Sequence, residues 1–232
     1  MELLDGVNLA ELIAESGALP PARAVHLAQQ AAHSLMEAHA RGLVHRDVKP
    51  ENLFVSCAGL ETDFVKVLDF GIATGRAVDS LAGSDGDAVL GTPTTMSPEV
   101  IEGQRATDAS DVYSMGVVMY FMVTGEYPFT CQTAATTLAA HVLTAPVPPS
   151  ERLGAELPTG VEELIMRCLG KAPHDRPASG RVLAMELDTL ASSLPWHAAL
   201  LPEADMLLDS ESRARAMAKD PKARFADAAE MA

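Results

Sequence analysis

The chain has 232 residues and a formal net charge of −15 at pH 7, with 32 Asp and Glu against 17 Lys and Arg. That length suits one domain, or one lobe and a tail, with ample material for a core, and the charge argues against a nucleic-acid or anionic-membrane surface, since no basic stripe exists to release counterions from phosphates. Cys57, Cys131 and Cys168 form no CxxC pair, which speaks against a disulfide framework or a zinc site and for a reducing, cytoplasmic setting. With no apolar run of about eighteen residues and an acid at position 2, neither a membrane span nor a signal peptide is expected.

In chain order, 8–13 opens a short helical pattern. Residues 21–41 follow as an amphipathic helix, with Pro21 at its start and Gly42 just past its end. His26, His33 and His39 lie on that helix, and satisfied or solvated imidazoles explain them better than a metal site. The loop 45–52 gathers a histidine, an arginine, an acid, a lysine and an asparagine, enough to hold a hydroxyl, a phosphate and a metal together. Leu53-Phe54-Val55 and 64–68 read as two strands around a turn at Gly59, a hairpin that brings Asn52 and Asp69 to one side. Residues 69–99 lack hydrophobic periodicity and read as a surface segment. The stretch 107–125 begins with capping residues, is apolar nearly all round and stops at glycine, the pattern of a buried helix. Further helices are expected over 134–143, 161–169 and 177–190, with Pro146 to Pro149 as a break. Beyond Ala191, Arg167, Lys171, Pro173 and Arg176 recur 48 residues on as Arg215, Lys219, Pro221 and Arg224. A helical extension of common composition and a duplicated docking element both fit this repeat.

His45-Arg46-Asp47-Val48-Lys49-Pro50-Glu51-Asn52, Asp69-Phe70-Gly71 and Ser97-Pro98-Glu99, in that order, resemble the catalytic loop, metal loop and end of the activation segment of a eukaryotic-like, bacterial-type Ser/Thr protein kinase. The resemblance covers roughly 1–190 and only the C-terminal catalytic lobe of that family. No glycine-rich phosphate loop, strand lysine or helix glutamate is found, so the N-terminal lobe is expected to be missing and the chain inactive alone. It implies a mainly α fold: a kinase-like helical lobe with a short β-hairpin, plus a helical tail over 191–232.

The resemblance also implies roles. Asp47 would orient the substrate hydroxyl and accept its proton, Lys49 would sit over the transferring phosphate, and Thr92 would hydrogen-bond both. Asn52 and Asp69 would hold Mg2+. ATP would lie against the hinge edge at Glu2 and Leu4, over Phe54, and beside Glu51 and the metal pair. Asp111 would tie down the catalytic-loop backbone, while Arg46 would await a phosphate in the activation segment; Ala88 stands at the usual phosphosite, with Asp85 and Asp87 as possible fixed charges. Thr95 replaces a usual tyrosine, which puts the packing of the substrate-docking loop in question. Glu99 would form a buried ion pair with Arg176 rather than Arg224, because Arg176 follows the central helix at the family's interval. The implied partners are ATP and a protein bearing Ser or Thr, with a missing N-lobe or self-association at the hinge face, and neither nucleic acid nor membrane. A non-catalytic kinase-like binding module is the competing reading, which degraded motifs would favour. A metal phosphoesterase using His45, Asp47 and Asp69 leaves Ser97-Pro98-Glu99 and the central helix unexplained.

Overall fold

The computed structural model describes residues 6–58, 61–70 and 93–196. Strand β1 (Gly6–Asn8) pairs antiparallel with β2 (Leu53–Ala58), which pairs antiparallel with β3 (Glu61–Val67), giving the order β1-β2-β3. The expected hairpin is present and longer than its apolar runs suggest. Residues 6–8, expected only as the approach to a helix, are a third strand; three residues are too few to show a two-residue alternation, and pairing with β2 is what makes them extended. The expected hinge edge at Glu2 and Leu4 lies outside the described residues.

Asn8 closes β1 and caps α1 (Leu9–Ser16). The Glu11 N–H donates to Asn8 Oδ1 at 2.9 Å and the Asn8 N–H donates to the Glu11 carboxylate at 3.4 Å, satisfying two orphan donors reciprocally. Helix α2 (Pro21–Ala40) opens on a proline, whose missing N–H costs nothing in a first turn, and ends where Gly42 turns left-handed at φ 71°.

Beyond α3 (Pro98–Ile101) runs α4 (Asp108–Thr124), the axis of the core. Val112, Tyr113, Met115, Val117, Val118, Tyr120 and Met122 are all fully buried along it. Their burial on every side explains the absence of a polar face in its sequence, and each large side chain so removed from water contributes about 1.5–3 kcal/mol. Packed on it are α2, α7 (Val161–Cys168) and α8 (Gly180–Ser193), the last also running along α2. These contacts need small residues at two crossings. A Cβ on Gly116 would come within 2.6 Å of Cys168 Cβ, and one on Gly180 within 2.9 Å of the Met36 backbone nitrogen. Helix α5 (Ala134–Leu143) docks through buried His141, whose Nδ1 lies 2.8 Å from the Tyr113 hydroxyl. Burial, with Lys171 nearby, pushes His141 down to about 4, so this contact is made by a neutral imidazole near pH 7. A short helix α6 (Pro149–Leu153) completes the set, and α8 extends three residues beyond the expected end at 190. Residues 215–224, with the second copy of the repeat, are outside the described residues.

The segment entering α3 is fastened to the helical base twice. Thr95, which stands where the family has a tyrosine, is buried, and its carbonyl accepts from Ser114 Oγ at 2.7 Å, a backbone attachment of this segment to α4. Glu99 forms the expected bidentate pair with Arg176, at 2.9 Å to Oε1 and 2.8 Å to Oε2, and Ser110 Oγ donates to Oε1 at 2.6 Å. The guanidinium also donates to the carbonyls of Gly170, Ala109 and Lys171 and lies over the Tyr113 ring. Burial alone would raise the Glu99 pKa; the hydrogen bonds from Arg176 and Ser110 outweigh it and hold the carboxyl below its ordinary value.

Removing Arg176 strands a buried charge, so Arg176→Ala should lower the unfolding free energy by about 3–5 kcal/mol in urea denaturation at neutral pH. A loss of less than roughly 0.5 kcal/mol would show that the pair holds nothing in place. Because the folded-state pKa of Glu99 is depressed, its contribution is complete above the unfolded glutamate pKa and is lost as pH falls through the lower folded value. The unsubstituted protein should therefore lose stability across that acid window more steeply than Arg176→Ala.

Candidate active site

After α2 the chain turns back and enters the core at His45, which is fully buried. The loop is fixed there by Asp111, a carboxylate in the first turn of α4 that is itself 1% exposed. The His45 N–H donates to Asp111 Oδ2 at 2.7 Å and the Arg46 N–H to Oδ1 at 2.8 Å. Arg46 sits at φ 69°, and this left-handed residue lets two successive N–H groups converge on one anion. His39 Nε2 reaches Oδ2 as well, at 2.9 Å, while its Nδ1 accepts the Gly180 N–H at 3.0 Å. An Nδ1 that accepts carries no proton, so Nε2–H is the donor to Asp111. The anchoring expected of Asp111 is thus present, with His39 as a third donor that sequence alone did not single out among three helical histidines. The other two also have protein partners: His26 Nε2 lies 3.0 Å from Gln30 Nε2 and His33 Nε2 lies 2.8 Å from Asp188 Oδ1.

His45 then joins the two functional loops. Its Nδ1 accepts the Asp47 N–H at 3.3 Å, so its Nε2–H donates to the Leu68 carbonyl at 2.9 Å, directly before Asp69. The Phe70 ring packs beside it at 4.6 Å between centroids. The Leu68 N–H donates to the Asn52 carbonyl at 2.8 Å, which continues the β2–β3 ladder to the two predicted metal residues and leaves Asp69 at φ 58°.

Within the loop, Asp47 Oδ2 is 2.6 Å from Lys49 Nζ and accepts from Asn52 Nδ2 at 3.1 Å. Asn52 Nδ2 also donates to the Asp47 carbonyl at 2.8 Å. Both donations fix the Asn52 amide with its Oδ1 as the remaining acceptor, and among the described residues Asp47 Oδ1 is likewise left available to a hydroxyl. Asn52 is buried, Asp47 and Lys49 are part-exposed, and Asp69 and Glu51 are exposed. Phe54 is half-buried on β2, opposite Asn8 of β1. The structure therefore brings together Asp47, Lys49 and Asn52, with Asp69 joined to them through Leu68 and His45. Thr92, Gly71, Ala88, Asp85 and Asp87 lie outside the described residues.

The donor set suits magnesium. Asn52 Oδ1 and the Asp69 carboxylate are hard oxygens, and magnesium is commonly held by one or two protein oxygens, with phosphates and waters completing its shell. Among the described residues no group of three His, Cys, Asp or Glu is placed to hold a metal by itself, as a site shared with phosphates does not require one.

A buried central helix, a catalytic loop hung from its acid and a metal loop locked to that loop by histidine define a lobe of the protein-kinase type. The family model for the protein kinase domain matches residues 1–187, and the chain belongs to that family, among the bacterial-type Ser/Thr protein kinases. It is 39% identical over 193 residues to serine/threonine-protein kinase pkn3 of Myxococcus xanthus, covering 82% of this chain and 35% of the relative. To PknB of Mycobacterium leprae it is 34% identical over 213 residues, 92% of this chain and 32% of the relative. The chain thus spans about a third of the length of these curated relatives. Among solved structures, that of Rad53 1-466 in complex with AMP-PNP has the same fold, with a TM-score of 0.65 at 23% identity over 79% of this chain and 44% of the other. No described helix is long and apolar enough to cross a membrane.

Asp111→Ala should remove the acceptor of one buried backbone N–H, that of His45, and one part-buried, that of Arg46. An unsatisfied buried donor costs about 1–3 kcal/mol, so a loss of roughly 3 kcal/mol or more is expected by urea denaturation, with faster amide exchange at His45 and Arg46. Unchanged exchange at both amides would show that the loop is held by something else.

Proposed function

We propose that this chain carries the substrate-side half of a Ser/Thr protein kinase active site and serves transfer of the ATP γ-phosphate to a protein Ser or Thr hydroxyl. The observation that carries this reading is the Asp47 carboxylate, gripped on Oδ2 by Lys49 and Asn52 on a loop fixed to the core. An ionised carboxylate held this way accepts the hydroxyl hydrogen at Oδ1 and aims the oxygen along one line, an effect of positioning more than of basicity. Lys49, within reach of the same carboxylate, presents its ammonium to the phosphate as transfer proceeds. Asn52 and Asp69 are the residues that would hold magnesium, which supplies positive charge to the phosphate oxygens when bound. Phe54, Glu51 and the edge at Glu2 and Leu4 are assigned to ATP, and Thr92 to Asp47 and Lys49. The domain reading remains a lobe over 1–190 and a tail over 191–232. The sequence contains no glycine-rich loop to cradle the phosphates, so this chain by itself is expected to transfer phosphate poorly.

The test is transfer from labelled ATP to histone, by the chain alone and by the chain fused to an N-terminal kinase lobe. Transfer should rise sharply in the fusion, and Asp47→Asn or Asp69→Asn should then cut it by about 10²–10⁴-fold. A near-normal rate in either variant would remove that residue from the site. Robust transfer by the unfused chain would overturn the expectation that it is incomplete.

A further inference from the structure

The outer edge of the sheet holds a cluster that the active-site description does not use. Among the described residues strand β3 is paired on one side only, and its residues alternate between bonding β2 and facing outward. The Leu68–Asn52 bond sets the phase, so Val65 and Asp63 are the outward-facing positions. Gln30 of α2 occupies that edge: its Nε2 donates to the Asp63 carbonyl at 2.8 Å and its Oε1 accepts the Val65 N–H at 3.0 Å. A single side-chain amide thus makes the two bonds that a neighbouring strand would make.

Asp63 is seized at the same point. Its carboxylate receives Arg23 Nε at 2.9 Å and Nη2 at 2.7 Å, with side chains 2% and 3% exposed respectively, and Trp196 Nε1 donates to Oδ2 at 2.9 Å. The guanidinium also lies 5.7 Å from the Trp196 ring centre. Asp63 is left-handed at φ 62°, next to the register shift of the ladder.

Such a clamp has a mechanical reason. Pairing of β2 with β3 shifts register between Ser56 and Ala58, toward the turn, and recovers a regular match only from Ser56↔Phe64 to Leu53↔Val67. A ladder whose register shifts between Ser56 and Ala58 needs its register held elsewhere, and a slip of one residue would turn every side chain of β3 to the opposite face. Two residues past β3 stands Asp69, which must meet Asn52 immediately before β2.

The geometry points to Gln30, Arg23 and Trp196 as a positioning clamp on β3 that sets Asp69 against Asn52 for magnesium; this rests on the kinase reading above. Helix α2 supplies two of the three groups and the segment after α8 the third, so the metal half of the site is registered against both the first long helix and the last described residues of the lobe.

Two variants test it in the full chain: Gln30→Leu, which removes both amide bonds, and Trp196→Phe, which keeps an aromatic ring beside Arg23 but loses the donor to Asp63. Two quantities are read well below each variant's unfolding temperature: Mn2+ binding by electron paramagnetic resonance with ADP present, and hydrogen exchange at the Leu68 amide. Loss of a residue that orients a metal ligand directly typically costs 10–100-fold in affinity, so from one layer further out a weakening of about 3–10-fold is expected. Leu68 exchange should quicken while amides in α7 keep their protection, which general loosening would not spare. If Gln30→Leu does not fold, Trp196→Phe reads the same two quantities. Mn2+ binding that Asp69→Ala abolishes, with both variants within twofold of the parent and Leu68 exchange unchanged, overturns the clamp alone. Binding in the parent that is indifferent to Asp69→Ala overturns the kinase assignment of the metal pair, and the clamp's purpose with it.

Discussion

A carboxylate buried in the first turn of α4 accepts two backbone N–H groups from the catalytic loop and the imidazole of His39, and the active-site geometry depends on it. Asp111 is costly to bury, and its desolvation is offset only because all three donors converge on it. That requirement shapes its surroundings. Arg46 must be left-handed to present its N–H beside that of His45, α2 must end close enough for His39 to reach, and α8 must begin with a glycine so that its first N–H can hold the other nitrogen of the ring. The core around α4 thereby places the loop as well as stabilising the lobe.

From that anchor order passes outward through hydrogen bonds to the main chain. His45 takes Asp47 on one nitrogen and Leu68 on the other, Leu68 takes Asn52, and Asn52 takes Asp47. The circuit closes on itself, so each member is held from two directions. Glu99 and Arg176 perform the corresponding service for the segment approaching α3, tying it to the loop before α8 and to Ser110 in the same turn of α4 that carries Asp111. The catalytic loop and the end of the activation segment are therefore referenced to one turn of one helix.

How much of this was legible in the sequence follows from the range of the interactions. α4 was plain because burial on all sides leaves a long apolar run between a capping threonine and a glycine, and α2 because its stripe is regular. The proximity of Asp47, Lys49, Asn52 and Asp69 was legible because the family's motifs keep them in short, ordered strings, and the Glu99–Arg176 pair because chain interval separates the two candidate arginines. β1 was not, since three residues become a strand only by pairing with β2. Gln30 was invisible for a different reason: a glutamine on the polar side of an amphipathic helix reads as solvated, and only the position of the β3 outer edge gives it work. His39 was one histidine among three on a helix, and tertiary placement alone separates it from His26 and His33.

The contacts that hold the catalytic loop involve its main chain and His45, while the side chains to which the proposed chemistry is assigned, part-exposed Asp47 and Lys49, bonded to one another, and exposed Asp69, take no part in that anchoring. Foldability and catalytic competence are consequently inscribed in different atoms. On the proposed assignment, a lineage can replace the reacting carboxylate without disturbing the frame, and such a change is close to neutral for the survival of the fold. The same architecture thus permits descent into catalytically silent scaffolds by single substitutions, whereas drift at Asp111 or His45 is closed to both kinds of descendant.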